Sequence, residues 1–95
     1  NLGYLTGRGA PPEVTDSILR IASSVPGVTN VHQVIADHVG PELRVDMHID
    51  VDGGMPLRDA HAIGDQVAAR VEALPEVGLA FVHVEPAEVR ARSET

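Results

Sequence analysis

The residues of this chain with the most chemical potential are its five histidines and the carboxylates spaced among them. His83 and Glu85 lie two apart in the run Leu79 to Glu85, which alternates Ala80, Val82 and Val84 with Phe81, His83 and Glu85. On a strand, residues two apart project from the same face as neighbours. An imidazole beside a carboxylate suits zinc or a similar first-row divalent ion. Asp46 and His48 repeat the pattern in Leu43 to Val51, where Val45, Met47, Ile49 and Val51 point one way. Arg44, Asp46, His48 and Asp50 point the other. Two ligands do not define a site, and outward strand positions are commonly polar in any half-exposed sheet. Two such pairs on one sheet, however, would put four nitrogen and oxygen donors on one surface.

The remaining histidines are read less directly. His61 falls at the border of a helical apolar stripe, where it could reach over a sheet edge or toward a partner subunit. Taken alone, a surface histidine without a function is the simpler reading. His32 opens the run Val31 to Val39 and shares a nominal face with Val34, Ala36 and His38 if the strand is regular. A bulge or a late strand start would release His32, while His38 reads as solvent-facing near the turn. His32 therefore ranks above His38 as a ligand. Asp50-Val51-Asp52-Gly53 resembles the start of a calcium loop, but its twelfth position holds His61 instead of the closing glutamate.

The elements that must position these groups follow from periodicity. Val14, Ile18, Ile21, Ala22 and Val25 recur on one helical stripe from about Pro12 to Ser24, and Pro26-Gly27 stops it. The strands Val31–Val39 and Leu43–Val51 meet at Gly40-Pro41. A second helix runs from Pro56 to about Leu74, with Leu57, Ala60, Ile63, Gly64, Val67, Val71 and Leu74 on its apolar face. Leu79–Glu85 is the third strand. The order α-β-β-α-β predicts an α+β domain in which two helices cover one face of a three-stranded sheet. The other face then carries Asp46, His48, His83 and Glu85.

Composition narrows the function classes. Ninety-five residues make one domain with one modest core. Cysteine is absent, which removes disulfides, thiolate metal sites and cysteine nucleophiles. The formal net charge of −7 disfavours nucleic acid and anionic membrane surfaces and favours cations. No serine lies in a Gly-x-Ser-x-Gly elbow, and neither a Walker pattern nor Gly-x-Gly-x-x-Gly occurs. An enzyme is the least favoured class. No apolar run approaches the ~20 residues of a membrane span. Asn1 to Ala10 reads as a connecting segment cut from something longer, and residues 88–95 as a polar tail.

An ordered set of motifs resembles a known family. Val25-Pro26-Gly27-Val28, Val31-His32, Gly40-Pro41, Val45-Asp46-Met47-His48-Ile49, Leu57-Arg58-Asp59-Ala60-His61 and Val82-His83-Val84-Glu85-Pro86 together resemble the cytoplasmic C-terminal domain of cation diffusion facilitator transporters, over residues 11–87. The resemblance implies a ferredoxin-like, metallochaperone-like domain that forms a V-shaped homodimer. It would sit on the cytoplasmic side of the membrane, below the protein's own N-terminal transmembrane domain, with residues 1–10 as the linker. That parent would export zinc, manganese, iron, cobalt, nickel, cadmium or related ions by proton antiport. The family's cytoplasmic ligands fall on His32, His48, His61, His83 and Glu85, with the position of Asp46 contributing in some relatives. Glu85 stands where many zinc-exporting relatives carry aspartate. The competing readings are a stand-alone metal chaperone or buffer and a regulatory module for a small organic ligand. Imidazole ligates only when neutral, so affinity should fall as pH drops through ~6.5.

Overall fold

A computed structural model describes residues 5–6 and 9–87 of the chain. Helix α1, Pro12–Ser23, begins where Pro11 and Pro12 hold backbone dihedrals suited to a helix start. Thr15 Oγ1 returns a hydrogen bond to the Pro12 carbonyl at 3.0 Å. Its buried line is Thr15, Ile18 and Ala22, continued by Val25 beyond the helix, while Val14 and Ile21 flank it half-buried. Strands β2, Asn30–Val39, and β3, Glu42–Val51, form an antiparallel hairpin across Gly40-Pro41, where Gly40 takes φ +68°. Helix α2, Leu57–Glu72, crosses back to β4, Val77–Pro86, which pairs parallel with β3.

These three strands of 10 residues each make the sheet expected from the alternation. A fourth strand adds to it. Leu5–Thr6, here β1, lies in the segment read as a connector and pairs parallel with Val34 and Ile35 of β2. The sheet order is thus β1-β2-β3-β4. Two residues carry too little alternation to be read as a strand, so only the pairing identifies β1. The polar tail lies outside the described residues.

Both helices bury their stripes against one face of this sheet. Ile18 and Ala22 from α1, Val67 and Val71 from α2, and Val45, Met47 and Ile49 from β3 are fully buried in one cluster. Such a cluster of medium-sized aliphatics supplies the main stabilising term of a small domain. The helix α2 comes close to β4 because Gly64 has no side chain. A Cβ there would stand 2.8 Å from Val84 Cγ2. Leu57 departs from its expected place on the apolar face: it is 85% exposed. It opens the helix, a turn before the stripe reaches the sheet. On the outer edge of β4, Glu72 accepts the Ala80 backbone N–H at 2.9 Å and so covers part of an open strand edge.

One local irregularity decides what the outer face carries. Register along β2 passes from His32 opposite His48 directly to Ile35 opposite Asp46, so Gln33 and Val34 together face Met47. This is a β-bulge, and Gln33 sits in the left-handed region at φ +56°. The bulge shifts parity by one. Val34 and Ala36 turn into the core at 1% and 0% exposure, whereas His32 stays on the outer face with His48. In a regular strand His32 would have had to share the core face with Val34 and Ala36.

Candidate metal centre on the outer sheet face

The two hairpin strands and β4 deliver their outward residues in rows. His32, His48 and His83 are register partners across β2, β3 and β4, and form one row. The His48 and His83 rings stack at 4.7 Å between centroids with 20° between planes. His32 and His48 lie 5.4 Å apart and tilted by 41°. The next row toward the end of β3 holds Asp50 opposite Glu85.

These two rows converge into a compact donor set. His32 Nε2 lies 3.1 Å from Asp50 Oδ1 and 3.6 Å from Glu85 Oε1. The other Glu85 oxygen, Oε2, is 2.7 Å from His48 Nδ1. One carboxylate therefore spans two imidazoles. His32, Asp50 and Glu85 each offer a ligand atom within 4.8 Å of the other two. Burial is graded: His32 and Asp50 side chains are 4% exposed, Glu85 on the edge strand 37%. A carboxylate and an imidazole buried together hold each other through a charge-assisted hydrogen bond, since either alone would lose its hydration without recompense. Two carboxylates and up to three imidazoles, with neither thiolate nor thioether, suit borderline divalent ions of the first transition row.

Of the six residues singled out in the sequence, the structure brings four together: His32, His48, His83 and Glu85. Asp46 lies one row toward the other end of the face, opposite Ile35 and Phe81. Its carboxylate is 3.3 Å from Arg44 Nε. His61 stands on α2, where its Nε2 is 3.3 Å from Asp65 Oδ2 and its side chain is exposed. It lines one groove with Glu85, Val82 and Val84, outside the compact set. His38 is exposed at the far end of β2.

Asp50 is the donor that sequence reasoning passed over. It shares the outward parity of Asp46 and His48, yet in sequence it heads an incomplete calcium loop. The signal was available in that parity. What was missing is the pairing that sets Asp50 beside both Glu85 and the bulge-released His32.

At the other end of the same face, Val39, Leu79 and Phe81 are 64%, 57% and 41% exposed. No helix among the described residues is long and apolar enough to cross a membrane.

Known proteins share this architecture. Residues 10–87 match the family described as cation efflux protein, cytoplasmic domain. An uncharacterized transporter of Methanocaldococcus jannaschii is 36% identical over 85 residues, covering 90% of this chain and 30% of that protein. Metal tolerance protein 4 of Oryza sativa subsp. japonica is 37% identical over 86 residues, covering 90% of this chain and 22% of that protein. The chain thus spans less than a third of the length of these curated relatives. Among solved structures, the nickel form of a MamM CTD variant superimposes with a TM-score of 0.76 at 30% identity, covering 80% of this chain and 98% of that one. The ferredoxin-like α-β-β-α-β fold expected from the motifs is the fold of this domain. The chain belongs to the cation efflux family, as a cytoplasmic domain of cation diffusion facilitator transporters.

Proposed function

We propose that this domain senses divalent transition-metal ions for a membrane-bound cation exporter, and that it works as a homodimer. The observation that carries the reading is the convergence of His32, Asp50 and Glu85 within 4.8 Å, with His48 hydrogen-bonded to Glu85. An ion of the zinc class, whether Zn²⁺, Mn²⁺, Fe²⁺, Co²⁺, Ni²⁺ or Cd²⁺, would be held by donors from this set. His83 stands beside His48, and His61 lines the groove that Glu85 also lines. The nickel form named for the MamM CTD supports an ion of this class.

Each partner in the donor set prepares another. The Asp50 carboxylate accepts from the His32 ring and fixes its orientation, the role that carboxylates play behind metal-bound imidazoles. Glu85 lies on an edge strand and is partly exposed, so it can move between His48 and an incoming cation. Binding neutralises negative charge on a chain of net charge −7. Two such acidic copies repel at short range, and a cation between or beside them lowers that cost. Val39, Leu79 and Phe81 are the apolar surface on which a second copy would rest. Closure of the pair would then bias an attached transmembrane domain that moves the same ions against protons. At a hundredfold excess over Kd, one site shifts the population toward the binding conformation by about 2.7 kcal/mol.

Calorimetric titration with Zn²⁺ and Ni²⁺ tests the site, comparing the wild type with His48→Ala and Glu85→Gln. Loss of binding in both variants is expected. Unchanged isotherms would remove the proposed centre. Solution scattering with and without metal tests closure separately: a smaller radius with metal is expected, and an unchanged profile would reduce the role to binding alone.

A further inference from the structure

We infer that Arg44 is a tethered cation that holds Asp46 out of divalent-ion binding and so sets how many ions this face takes. By position Asp46 is the next donor in the series. It shares the outward parity of His48 and Asp50 on β3 and lies two residues from His48. Yet it stands apart from the compact group of His32, Asp50 and Glu85.

Arg44 occupies the Asp46 carboxylate instead. Its Nε lies 3.3 Å from Asp46 Oδ2, and its guanidinium carbon sits 4.6 Å from the centroid of the Phe81 ring. Phe81 is the register partner of Asp46 on β4, so the guanidinium is pinned by its own strand and by the next. Asp37, the register partner of Arg44 on β2, lines the same depression, as does His38. The guanidinium thus lies between the Asp46 carboxylate and the Phe81 ring. A carboxylate is also a donor that a first-row divalent ion uses. The guanidinium is weakly hydrated and planar, which favours both the carboxylate and the aromatic contact.

The strength of this hold decides its character. Both Arg44 and Asp46 are partly exposed, at 52% and 37%. An exposed ion pair and one exposed cation–π contact together weigh about a factor of ten in an equilibrium. Arg44 therefore competes with a divalent ion without excluding it. The buried His32–Asp50 end fills first, and Asp46 joins only at higher metal concentration. The inference rests on the proposed metal-binding function for the class of ion.

Ni²⁺ titration calorimetry of the chain tests it, with the wild type, Arg44→Gln, Arg44→Lys and Arg44→Gln/Asp46→Asn, each checked for folding by thermal melt. Arg44→Gln should gain a binding event, or tighten a weak one about tenfold. Arg44→Lys, which keeps charge but loses the planar stack, should fall between. The double variant should return to the wild-type isotherm. An Arg44→Gln isotherm identical to wild type, with neither a new event nor a tightened one, would overturn the inference. A gain that persists in the double variant would also overturn it, because removal of a positive charge anywhere would then suffice. Arg44→Gln/Glu85→Gln separates the two readings. Loss of the main event with retention of the Asp46-dependent one supports both. A main event indifferent to Glu85 sinks the proposed centre and leaves the Arg44 result to stand by its own comparison.

Discussion

The two ends of the outer sheet face invert the usual distribution of polarity. At the end formed by His32, Asp50 and Glu85, buried side chains are polar: Asp50 and His32 are 3% and 4% exposed. At the end formed by Val39, Leu79 and Phe81, exposed side chains are apolar. Both ends are built by the same three strands, and the bulge in β2 divides them. Buried polar groups must find partners among themselves or in a ligand, whereas clustered exposed apolar groups mark a surface that meets another macromolecule. One face therefore carries two different demands within the length of one strand, from Leu79 to Glu85 on β4. Arg44 and Asp46, opposite Leu79 and Phe81, satisfy each other at the apolar end.

The largest effect should come from cutting the polar end at its bridging group. Glu85→Gln keeps size but removes the charge that spans His32 and His48, and metal affinity should fall about a hundredfold, or about 2.8 kcal/mol. Calorimetry reads this directly, and a change below threefold would break the assignment of Glu85 to the centre. Leu79→Asp addresses the apolar end. It should weaken self-association by about thirtyfold, in line with a loss of about 2 kcal/mol at an interface anchor, with the metal isotherm of each copy preserved. Sedimentation equilibrium measures the first and calorimetry the second. If Leu79→Asp also abolished metal binding, the ends would not be separable.

Asp50→Ala should destabilise the metal-free domain by about 1–2 kcal/mol, because His32 loses a buried acceptor. The urea midpoint should fall with an unchanged slope. Full stability in this variant would mean that the His32–Asp50 pair contributes nothing before metal arrives. The smallest effect belongs to Leu57→Ser. A residue 85% exposed at the start of α2 should cost no more than about 0.5 kcal/mol by thermal or urea melt. A larger loss would show that the helix start is packed against something that a second copy supplies.

Most of the scaffold was legible locally. Helical stripes such as Ile18, Ala22 and Val25, and the alternation Val45, Met47, Ile49 and Val51, state which side of each element faces a core. Parity also placed Asp46, His48, His83 and Glu85 on the outward face. Parity does not measure distance along that face, and register sets Asp46 one row from the histidines, with its carboxylate on Arg44. His61 was read at the border of a stripe, and the structure exposes it beside Asp65. At His32 the sequence permits either a regular or a bulged strand, and the left-handed Gln33 decides for the bulge.

By itself the sequence determined the order of elements, the buried faces and the donor chemistry, because helical and strand periodicities and the absence of cysteine are properties of short stretches and of composition. Tertiary structure alone decided which donors meet. Strand register brings Asp50 beside Glu85, a one-residue bulge swings His32 onto the outer face, and Arg44 claims Asp46. The first two are pairings between strands, and no local preference along one strand specifies its neighbour's offset. The third is a contact along β3 backed by the Phe81 ring of β4.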